Sequence, residues 1–310
     1  MQSTTLLMYP SNSFYQYAPA AHFLVTDEDA ADFLQSQFTN ELRPFELGQA
    51  TYGLWLDVKG KVIADSVVIC EGAEQFRVIS ECCVGELIMT HMERHIIADD
   101  VEIEKGESTY GFELTAQAVE ALGLECPKSG RFLRIEWGIL YSAHDSIYNM
   151  VVYVESAAKL VFEKLTDLGF IEISVPERGL ARIERGRPLV PDEIGAADIP
   201  GEGSLEHDAI SFTKGCYLGQ EVVARMHNVG KAQRGLFVVR GEGVIPELPL
   251  ALTNRDSKQV GELRTAYQDG ETWQGVAILK TRFAGVGETL RYETYEVSVV
   301  RALREGLAND

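Results

Sequence analysis

Short apolar runs and one segment with helical spacing alternate along the first 80 residues. Residues 22–26 form an apolar run that predicts a strand. In the segment 27–38 apolar side chains recur on one helical face, and Asp27 is the expected N-cap. Alternating apolar and polar positions predict further strands at residues 51–58, 62–70 and 75–80. This order is typical of an antiparallel meander.

Helical and strand patterns intermix between residues 85 and 184. The helical period predicts helices at residues 85–97, 117–122, 156–168 and 175–184. Short β-rich runs predict strands at residues 101–104, 108–114, 132–137 and 148–154. Such mixing indicates an α+β fold rather than a doubly wound parallel sheet.

The pattern changes after Gly235, where strand signals separated by glycine and proline take over. Strands are predicted at residues 236–240, 259–267, 272–279 and 295–300. One helix is expected at residues 301–307. We interpret this part as a small all-β barrel or sandwich, which gives two domains, residues 1–234 and 235–310.

The charge of the chain is strongly acidic but uneven. The 310 residues carry 28 basic and 47 acidic side chains, a net charge of −19. This balance opposes wholesale nucleic-acid binding, which needs clustered lysine and arginine. Residues 214–240 alone carry a net charge of +4, from Lys214, Arg225, Lys231, Arg234 and Arg240 against Glu221. This basic segment is either a site for an anionic ligand or a solvated surface stretch.

The chain has no signal of export or of membrane insertion. Residues 1–17 contain no lysine or arginine and no long apolar run, unlike a secretory or transit peptide. No window approaches 18 uninterrupted apolar residues. The five cysteines are irregularly spaced without a C-x-x-C pair, which opposes a zinc ribbon. We therefore expect a cytoplasmic protein.

Common catalytic and metal-binding motifs are missing. There is no P-loop, no G-x-G-x-x-G fingerprint and no G-x-S-x-G elbow. His91 and His95 are spaced for chelation on a helix, but no third ligand is evident, so solvated surface is the default. The pair Cys82-Cys83 is interpreted as small buried hydrophobes rather than a redox site. No metal site is predicted.

One segment stands out, Lys214-Gly215-Cys216-Tyr217-Leu218-Gly219-Gln220-Glu221 followed by Val222-Val223-Ala224-Arg225. Two glycines flank a Cys-Tyr pair, so that the backbone can turn sharply or approach a ligand. Cationic neighbours such as Lys214 and Arg225 lower the pKa of a thiol and make it a better nucleophile or metal ligand. Glu221 opposes that effect. Cys216 is thus either a functional thiol or a packed cysteine in a tight turn.

The segment K-G-C-Y-x-G-Q-E with V-A-R resembles the signature of the YgfZ-type folate-binding proteins, relatives of the glycine cleavage T-protein. Three weaker likenesses occur in the expected order. Residues 33–40 are similar to L-Q-G-Q-x-T-N, with Ser36 in place of glycine. Residues 57–62 are similar to the hairpin P-K-G-R-V, and residues 182–188 to R-I-E-A-G-x-P, with Arg185 in place of alanine. The likeness covers roughly residues 22–240.

The resemblance implies a fold of three parts around a central folate site. These are a T-protein-like α+β region, a ferredoxin-like insertion and a C-terminal β-barrel. It also implies a tetrahydrofolate-dependent role in the assembly or repair of iron–sulfur enzymes, including radical enzymes that thiolate tRNA. The implied partners are a folate, iron–sulfur client enzymes and, through them, tRNA, with no membrane and no DNA.

The resemblance also assigns roles to individual residues. Cys216 and Lys214 stand at the essential signature positions, and Glu184 at the position that hydrogen-bonds the pterin ring. The remaining expected folate contacts are Asp65, Tyr217, Gln220, Arg225 and Arg234. In this hypothesis the folate tail, or a phosphate-bearing partner, meets the basic segment.

At one position the sequence differs from the T-protein pattern, and this difference opposes aminomethyl transfer as the function. The T-protein hairpin G-G-x-x-D-D has a catalytic first aspartate, whereas alignment on Gly60 places Ala64 there and Asp65 second. An alanine cannot accept a proton, so a folate-dependent aminomethyltransferase or other one-carbon transferase is the alternative hypothesis. A third hypothesis is a non-enzymatic tRNA-binding protein, favoured by the basic segment and opposed by the net charge of −20 over residues 1–213.

Overall fold

The computed structural model describes residues 10–106, 108–144, 147–230 and 232–304. Contacts between these residues divide the chain into two compact units. The first, here called the sheet unit, comprises the described residues of 10–173 and 208–220. The second, the barrel unit, comprises those of 174–207 and 221–304. The predicted domain boundary between residues 234 and 235 stays a prediction.

The sheet unit contains two β-sheets and several helices. Its strands are β1 (Ser13–Tyr17), β2 (Ala21–Thr26), β3 (Ala50–Leu56), β4 (Val62–Gly72), β5 (Gln75–Ser80), β6 (Glu102–Lys105), β7 (Tyr110–Thr115), β8 (Phe132–Ile135), β9 (Gly138–His144), β10 (Ile147–Val152) and β11 (Ile171–Glu172). Its helices are α1 (Ala30–Gln37), α2 (Gly85–Glu93), α3 (Ala116–Ala121) and α4 (Glu155–Asp167).

In the first sheet β3, β4 and β5 form the predicted meander, and the full strand order is β3-β4-β5-β2-β6 with antiparallel pairing throughout. Along β4 every second side chain from Val62 to Val68 is buried, because alternate residues of a strand point to opposite faces. The helix α1 buries Phe33 and Leu34 through its helical spacing.

The second sheet has the order β11-β1-β7-β10-β9-β8, with β1 and β11 parallel and the other pairs antiparallel. One face packs against α3 and α4, with Phe14, Phe112 and Val161 in its core. The opposite face contributes Ile139 and Val151 to a second cluster that includes Ile69 and Ile79 of the first sheet.

The barrel unit is built on a closed antiparallel barrel with strand order β12-β15-β14-β13-β16-β17. Its strands are β12 (Arg234–Glu242), β13 (Leu250–Thr253), β14 (Gln259–Asp269), β15 (Thr272–Lys280), β16 (Thr289–Tyr292) and β17 (Tyr295–Ala302). The fully buried Trp273 lies in its core. Closure leaves no unpaired strand edge.

Helix α5 (Val175–Glu184) belongs to the barrel unit and begins at a capping box. The Ser174 side chain accepts from the Glu177 N–H, and the Glu177 carboxylate accepts from the Ser174 N–H at 2.7 Å. Two further helices, α6 (Glu206–Ala209) and α7 (Gln220–Val229), each begin in one unit and end in the other. Short 3-10 helices cover Pro200–Glu202 and Thr281–Phe283.

The predicted α+β class with a C-terminal barrel is confirmed, but strands β1, β11, β13 and β16 were not predicted, and other differences are local. Helix α1 begins at Ala30 rather than at an Asp27 cap, because Asp27 adopts a left-handed turn with φ of 83°. Helix α2 ends at Glu93, short of residue 97. Strand β9 was missed, since an aromatic residue, Trp137, occupies the tight turn between β8 and β9.

The helix expected at residues 301–307 is wrong at its start, because Arg301 and Ala302 pair with β12 as the end of β17. Residues 305–307 lie outside the described residues. Within the described residues, no helix is long and apolar enough to cross a membrane.

Candidate functional site

The motif around Cys216 forms a loop, residues 214–219, that we call the signature loop, and it is anchored by Lys214. The Lys214 ammonium donates to the carbonyl oxygens of Gln35, Phe38 and Asn40 at 2.8, 2.6 and 2.8 Å. Two of these carbonyls lie at the C-terminal end of α1, where unpaired carbonyls and the helix dipole favour a cation. All three protons of the ammonium are therefore used inside the protein.

Burial shapes the electrostatics of this anchor. Lys214 is 6% exposed, and burial lowers its pKa to about 8. The nearby charge of Glu41 opposes this shift, whereas that of Arg43 adds to it. The Lys214 nitrogen also lies 5.5 Å from the ring centroid of Tyr217, a distance suited to a cation–π contact. Lys214 thus fixes the start of the signature loop to the end of α1.

The segment after α1 holds the chain that leads into the signature loop. The buried Thr39 hydroxyl donates to the Ala209 carbonyl at 2.7 Å and accepts from the Leu54 N–H at 2.8 Å. The Asn40 amide donates to the carbonyl oxygens of Tyr52 and Asp208 at 2.9 and 3.0 Å. Residues 33–40, which in the sequence only weakly resemble a family motif, therefore bind the chain that leads into the signature loop and the first residue of that loop.

The other end of the signature loop packs against the β3–β4 hairpin. Gly219 has a φ of 82°, and a Cβ there would lie 2.7 Å from the Asp57 carbonyl oxygen. The Asp57 carboxylate accepts from the N–H groups of Lys59 and Lys61, both at 2.8 Å, which fixes the turn. Three segments that the sequence motifs had singled out, residues 33–40, 57–62 and 214–220, thus meet in the sheet unit.

Between these two anchored ends, Cys216 is exposed and Tyr217 is buried. None of the five cysteines, all of them described residues, forms a disulfide, and Cys216 makes no hydrogen bond with another described residue. Burial raises the pKa of Tyr217 to about 12, so its phenol stays protonated at neutral pH. The loop therefore presents one thiol to solvent on a fixed backbone.

Asp65 lies on β4 within a polar cluster of the sheet unit. Its carboxylate accepts from the Tyr52 hydroxyl at 3.0 Å and from the Ser80 hydroxyl and Cys83 thiol, both at 3.3 Å. Burial, together with the Asp65 charge, raises the pKa of the Cys83 thiol strongly, which keeps it protonated as a donor. The Ala64 side chain is fully buried.

Glu184 ends helix α5 in the barrel unit and keeps much of its hydrogen-bonding capacity. One carboxylate oxygen accepts from the Gln274 amide at 3.4 Å, and the other lies 3.5 Å from the Arg301 guanidinium. Both contacts are long, and the side chain is 30% exposed. Such a carboxylate can still accept two N–H bonds from a ligand.

The charge of Arg234 is neutralised inside the barrel unit. Its guanidinium donates to Glu202 at 2.7 and 2.9 Å and to Asp198 at 3.1 Å. Asp198 also accepts from Arg264 at 2.7 Å. These contacts favour a role for Arg234 in holding residues 198–202. Nothing in the local sequence signals the pairing, because the acids lie more than 30 residues away.

The remaining predicted positions lie around α7. Gln220 begins the helix and donates its N–H to the Tyr217 carbonyl at 3.2 Å. Arg225 is exposed and makes no ion pair with another described residue. Lys231 lies outside the described residues.

Of the two histidines considered for metal binding, His91 lies on α2 and His95 follows its end. His91 is 7% exposed, so the solvated-surface reading fails for it. Burial, helped by the charges of His95 and Arg94, lowers the pKa of His91 to about 4, against a weaker opposing effect of Asp57. Among the described residues no group of three metal-ligating side chains occurs.

Comparison with known proteins agrees with the motifs. Residues 13–135 match the family model of the GCVT N-terminal domain. The tRNA-modifying protein YgfZ of Escherichia coli O127:H6 is 27% identical over 226 residues, which cover 70% of this chain and 68% of the relative. The tRNA-modifying protein YgfZ of Hamiltonella defensa is 26% identical over 269 residues, covering 80% and 78%.

A solved structure shows the same fold. The glycine cleavage system aminomethyltransferase T from Bartonella henselae superimposes with a TM-score of 0.76 at 13% sequence identity. The match covers 94% of this chain and 86% of that structure. Together with the sequence relatives, this confirms the resemblance that the motifs predict: the chain is similar to the YgfZ proteins and shares its fold with the glycine cleavage T-protein.

Proposed function

We propose that the protein is a tetrahydrofolate-binding factor that supports the assembly or repair of iron–sulfur enzymes, including tRNA-modifying radical enzymes. The observation that carries the proposal is the exposed Cys216 thiol on a loop whose two ends are anchored by Lys214 and Gly219. The printed name of the relatives, tRNA-modifying protein, supports the link to tRNA. In this proposal the protein works in the cytoplasm on client proteins, without membrane or DNA.

A folate fits the chemistry of Glu184. The pterin ring offers adjacent N–H donors, and a carboxylate with only long protein contacts can accept two of them. The bound folate would supply a one-carbon carrier. Arg225, exposed and without an ion pair among the described residues, could meet the anionic tail, whereas Arg234 is already neutralised by Asp198 and Glu202.

Cys216 suits transient contact with a client rather than permanent cluster storage. An iron–sulfur cluster usually needs about four cysteine ligands. No group of three metal-ligating side chains occurs among the described residues. As a single exposed thiol, Cys216 could act on a one-carbon unit, a sulfur species or the cluster of a client enzyme.

The alternative is a folate-dependent aminomethyltransferase, but this chain lacks the aspartate that is catalytic in the T-protein. Ala64 occupies the aligned position of the catalytic aspartate, and its methyl group is fully buried. It can neither orient a folate nor accept a proton. Turnover of tetrahydrofolate with a secondary amine or a lipoyl carrier would support this alternative.

Calorimetric titration with tetrahydrofolate tests the ligand. We expect wild-type binding, weakened about 10- to 100-fold in Glu184→Ala, since loss of a charge-assisted hydrogen-bond pair costs about 1.5–3 kcal/mol. Glu288→Ala, at an exposed position of the same barrel unit, is the matched control and should bind as the wild type. Absence of wild-type binding would overturn the folate assignment.

Complementation tests the role of the thiol. Cells that carry only Cys216→Ser should lose activity of radical iron–sulfur tRNA-modifying enzymes, while the purified variant keeps its folate affinity. Cys126→Ser, at a half-buried position of the same unit, is the control. Full enzyme activity in the Cys216→Ser cells would exclude the proposed role of the thiol.

A further inference from the structure

A cavity lies at one end of the barrel, within the barrel unit. It has a volume of about 720 Å³. Its walls are the connection between β12 and β13, residues 243–249, and the turn between β16 and β17, residues 292–295. We call it the barrel-end pocket. The proposed folate and thiol chemistry uses none of its residues.

Two stacked tyrosines form the aromatic wall of the barrel-end pocket. The ring centroids of Tyr292 and Tyr295 lie 5.2 Å apart with an angle of 20° between the planes. Tyr292 is buried in the barrel core, where Leu248 and Leu250 pack, so the wall is rigid. Tyr295 is 54% exposed and therefore offers its ring to a ligand.

The charges that line the barrel-end pocket are all of one sign. Glu247 and Glu293 line it, both exposed, and no lysine or arginine does so. Neither carboxylate forms an ion pair with another described residue. The guanidinium of the adjacent Arg291 forms an ion pair with the carboxylate of Glu296, with an N···O distance of 2.7 Å. The charge of Glu293 also contributes to raising the pKa of Tyr292, after burial and Tyr295.

An aromatic face beside uncompensated carboxylates is the environment that attracts an organic cation. A lysine or arginine side chain over a tyrosine ring gains about 0.5–1 kcal/mol at exposed sites and more when it is desolvated. Each nearby carboxylate adds a charge-assisted hydrogen bond. An anionic ligand such as a nucleic acid is disfavoured by the same carboxylates.

The rim of the barrel-end pocket extends beyond what a small cation would cover. Val244 is 85% exposed, and Pro246 and Pro249 continue the apolar surface beside it. Apolar side chains next to the cation would bury this rim. We propose that the barrel-end pocket binds a lysine or arginine side chain, flanked by apolar residues, on a partner protein.

Methyl NMR of the full-length protein tests the proposal with defined peptides. The probes are acetyl-Gly-Leu-Lys-Leu-Gly-amide, the matched peptide with norleucine in place of lysine, and tetramethylammonium. We expect the lysine peptide to shift the methyl signals of Val244, Leu248 and Leu250, and the norleucine peptide to bind at least about fivefold more weakly, which corresponds to about 1 kcal/mol. Added salt should weaken the lysine peptide only, because its charge is screened.

Variants locate the binding. Glu247→Gln with Glu293→Gln keeps the shape of the pocket and should weaken the lysine peptide about fivefold or more. Tyr295→Ala should weaken it similarly, with an unchanged melting temperature as the check on folding. Glu288→Gln, an exposed glutamate outside the pocket, should have no effect.

Three outcomes would overturn the proposal. Equal binding of the norleucine peptide would make the site a plain apolar groove. Tetramethylammonium that binds as tightly as the lysine peptide would make it a small-cation site without a protein partner. No shift of the pocket methyl signals at millimolar lysine peptide would mean that the pocket does not bind a lysine side chain.

Discussion

At the scale of single residues, Lys214 and Cys216 lie two positions apart in opposite surroundings. Lys214 is buried and its ammonium group donates three hydrogen bonds to carbonyl oxygens, whereas Cys216 is exposed. We propose that the lysine acts on the thiol through the backbone, as a positioning residue. Loss of the lysine would leave three carbonyl oxygens without this donor in the protein interior, which costs free energy of folding.

Replacement of Lys214 by methionine tests this role. The variant keeps the aliphatic stem but loses the hydrogen bonds at the end of α1, so the free energy of unfolding should fall by about 2–4 kcal/mol. Urea denaturation measures it. Lys159→Met, at an exposed site on α4, should change it by less than about 0.5 kcal/mol. Equal stability of the two variants would contradict the anchoring role.

His91 predicts a specific acid sensitivity. Its pKa is about 4 in the folded protein, below the ordinary value of 6.5, so the unfolded chain binds the proton first as the pH falls. The stability that the neutral ring contributes is present above pH 6.5 and is lost towards pH 4. Wild type should therefore lose about 2 kcal/mol more unfolding free energy than His91→Gln between pH 7 and 4.5.

Denaturant titrations at the two pH values measure this difference. His207→Gln, at an exposed position, is the control. An equal loss of stability in wild type and His91→Gln would show that burial of this imidazole does not govern the acid response.

At the scale of elements, the signature loop depends on its two glycines in different ways. Gly219 lies in the left-handed region against the hairpin of residues 57–61, whereas a Cβ on Gly215 would meet no atom within 4 Å. Only the second glycine is required by its backbone conformation and by close packing. The first is required only if a client or ligand approaches the loop there.

The pair Gly219→Ala and Gly215→Ala tests this distinction. Gly219→Ala should lower the free energy of unfolding by about 1–3 kcal/mol, from the left-handed backbone and the clash with Asp57. Gly215→Ala should leave it within about 0.5 kcal/mol of the wild type. Thermal or urea unfolding of both variants decides, and a large loss in Gly215→Ala would show that the loop packs differently.

At the scale of the whole molecule, the charge separates a tRNA-related role from tRNA binding. The chain carries a net charge of −19 and has a calculated isoelectric point near 4.8. Part of its short basic segment is already used internally, by Lys214 on carbonyls and Arg234 on carboxylates. A polyanion would meet few available cations. The proposed link to tRNA therefore runs through client enzymes.

We expect no binding of bulk tRNA to the purified protein at about 0.15 M salt, as measured by gel shift, since phosphate contacts supply most non-specific affinity. Arg225→Gln serves as a companion variant, because Arg225 is exposed. Tight binding of tRNA that falls steeply with salt, and falls further in the variant, would support the tRNA-binding hypothesis instead.

Local pattern alone was sufficient for most of the fold. The strand periodicity of residues 62–70 and the helical spacing of residues 175–184 predicted β4 and α5, because neighbouring residues decide which face of an element is apolar. Strand β9 was missed, since an aromatic turn at Trp137 carries no hairpin signal. The extended end of β17 at Arg301 was also missed, because pairing with β12 overrides the local helical preference.

From local patterns alone followed the α+β class, an all-β C-terminal part and the prominence of Cys216, and the family resemblance predicted that the all-β part is a barrel. The tertiary structure alone decided which charges remain available. Lys214 is anchored to carbonyls more than 170 residues earlier in the chain, and Arg234 is neutralised by acids more than 30 residues away. Such long-range partners leave no periodic trace, because burial and pairing depend on how distant segments pack.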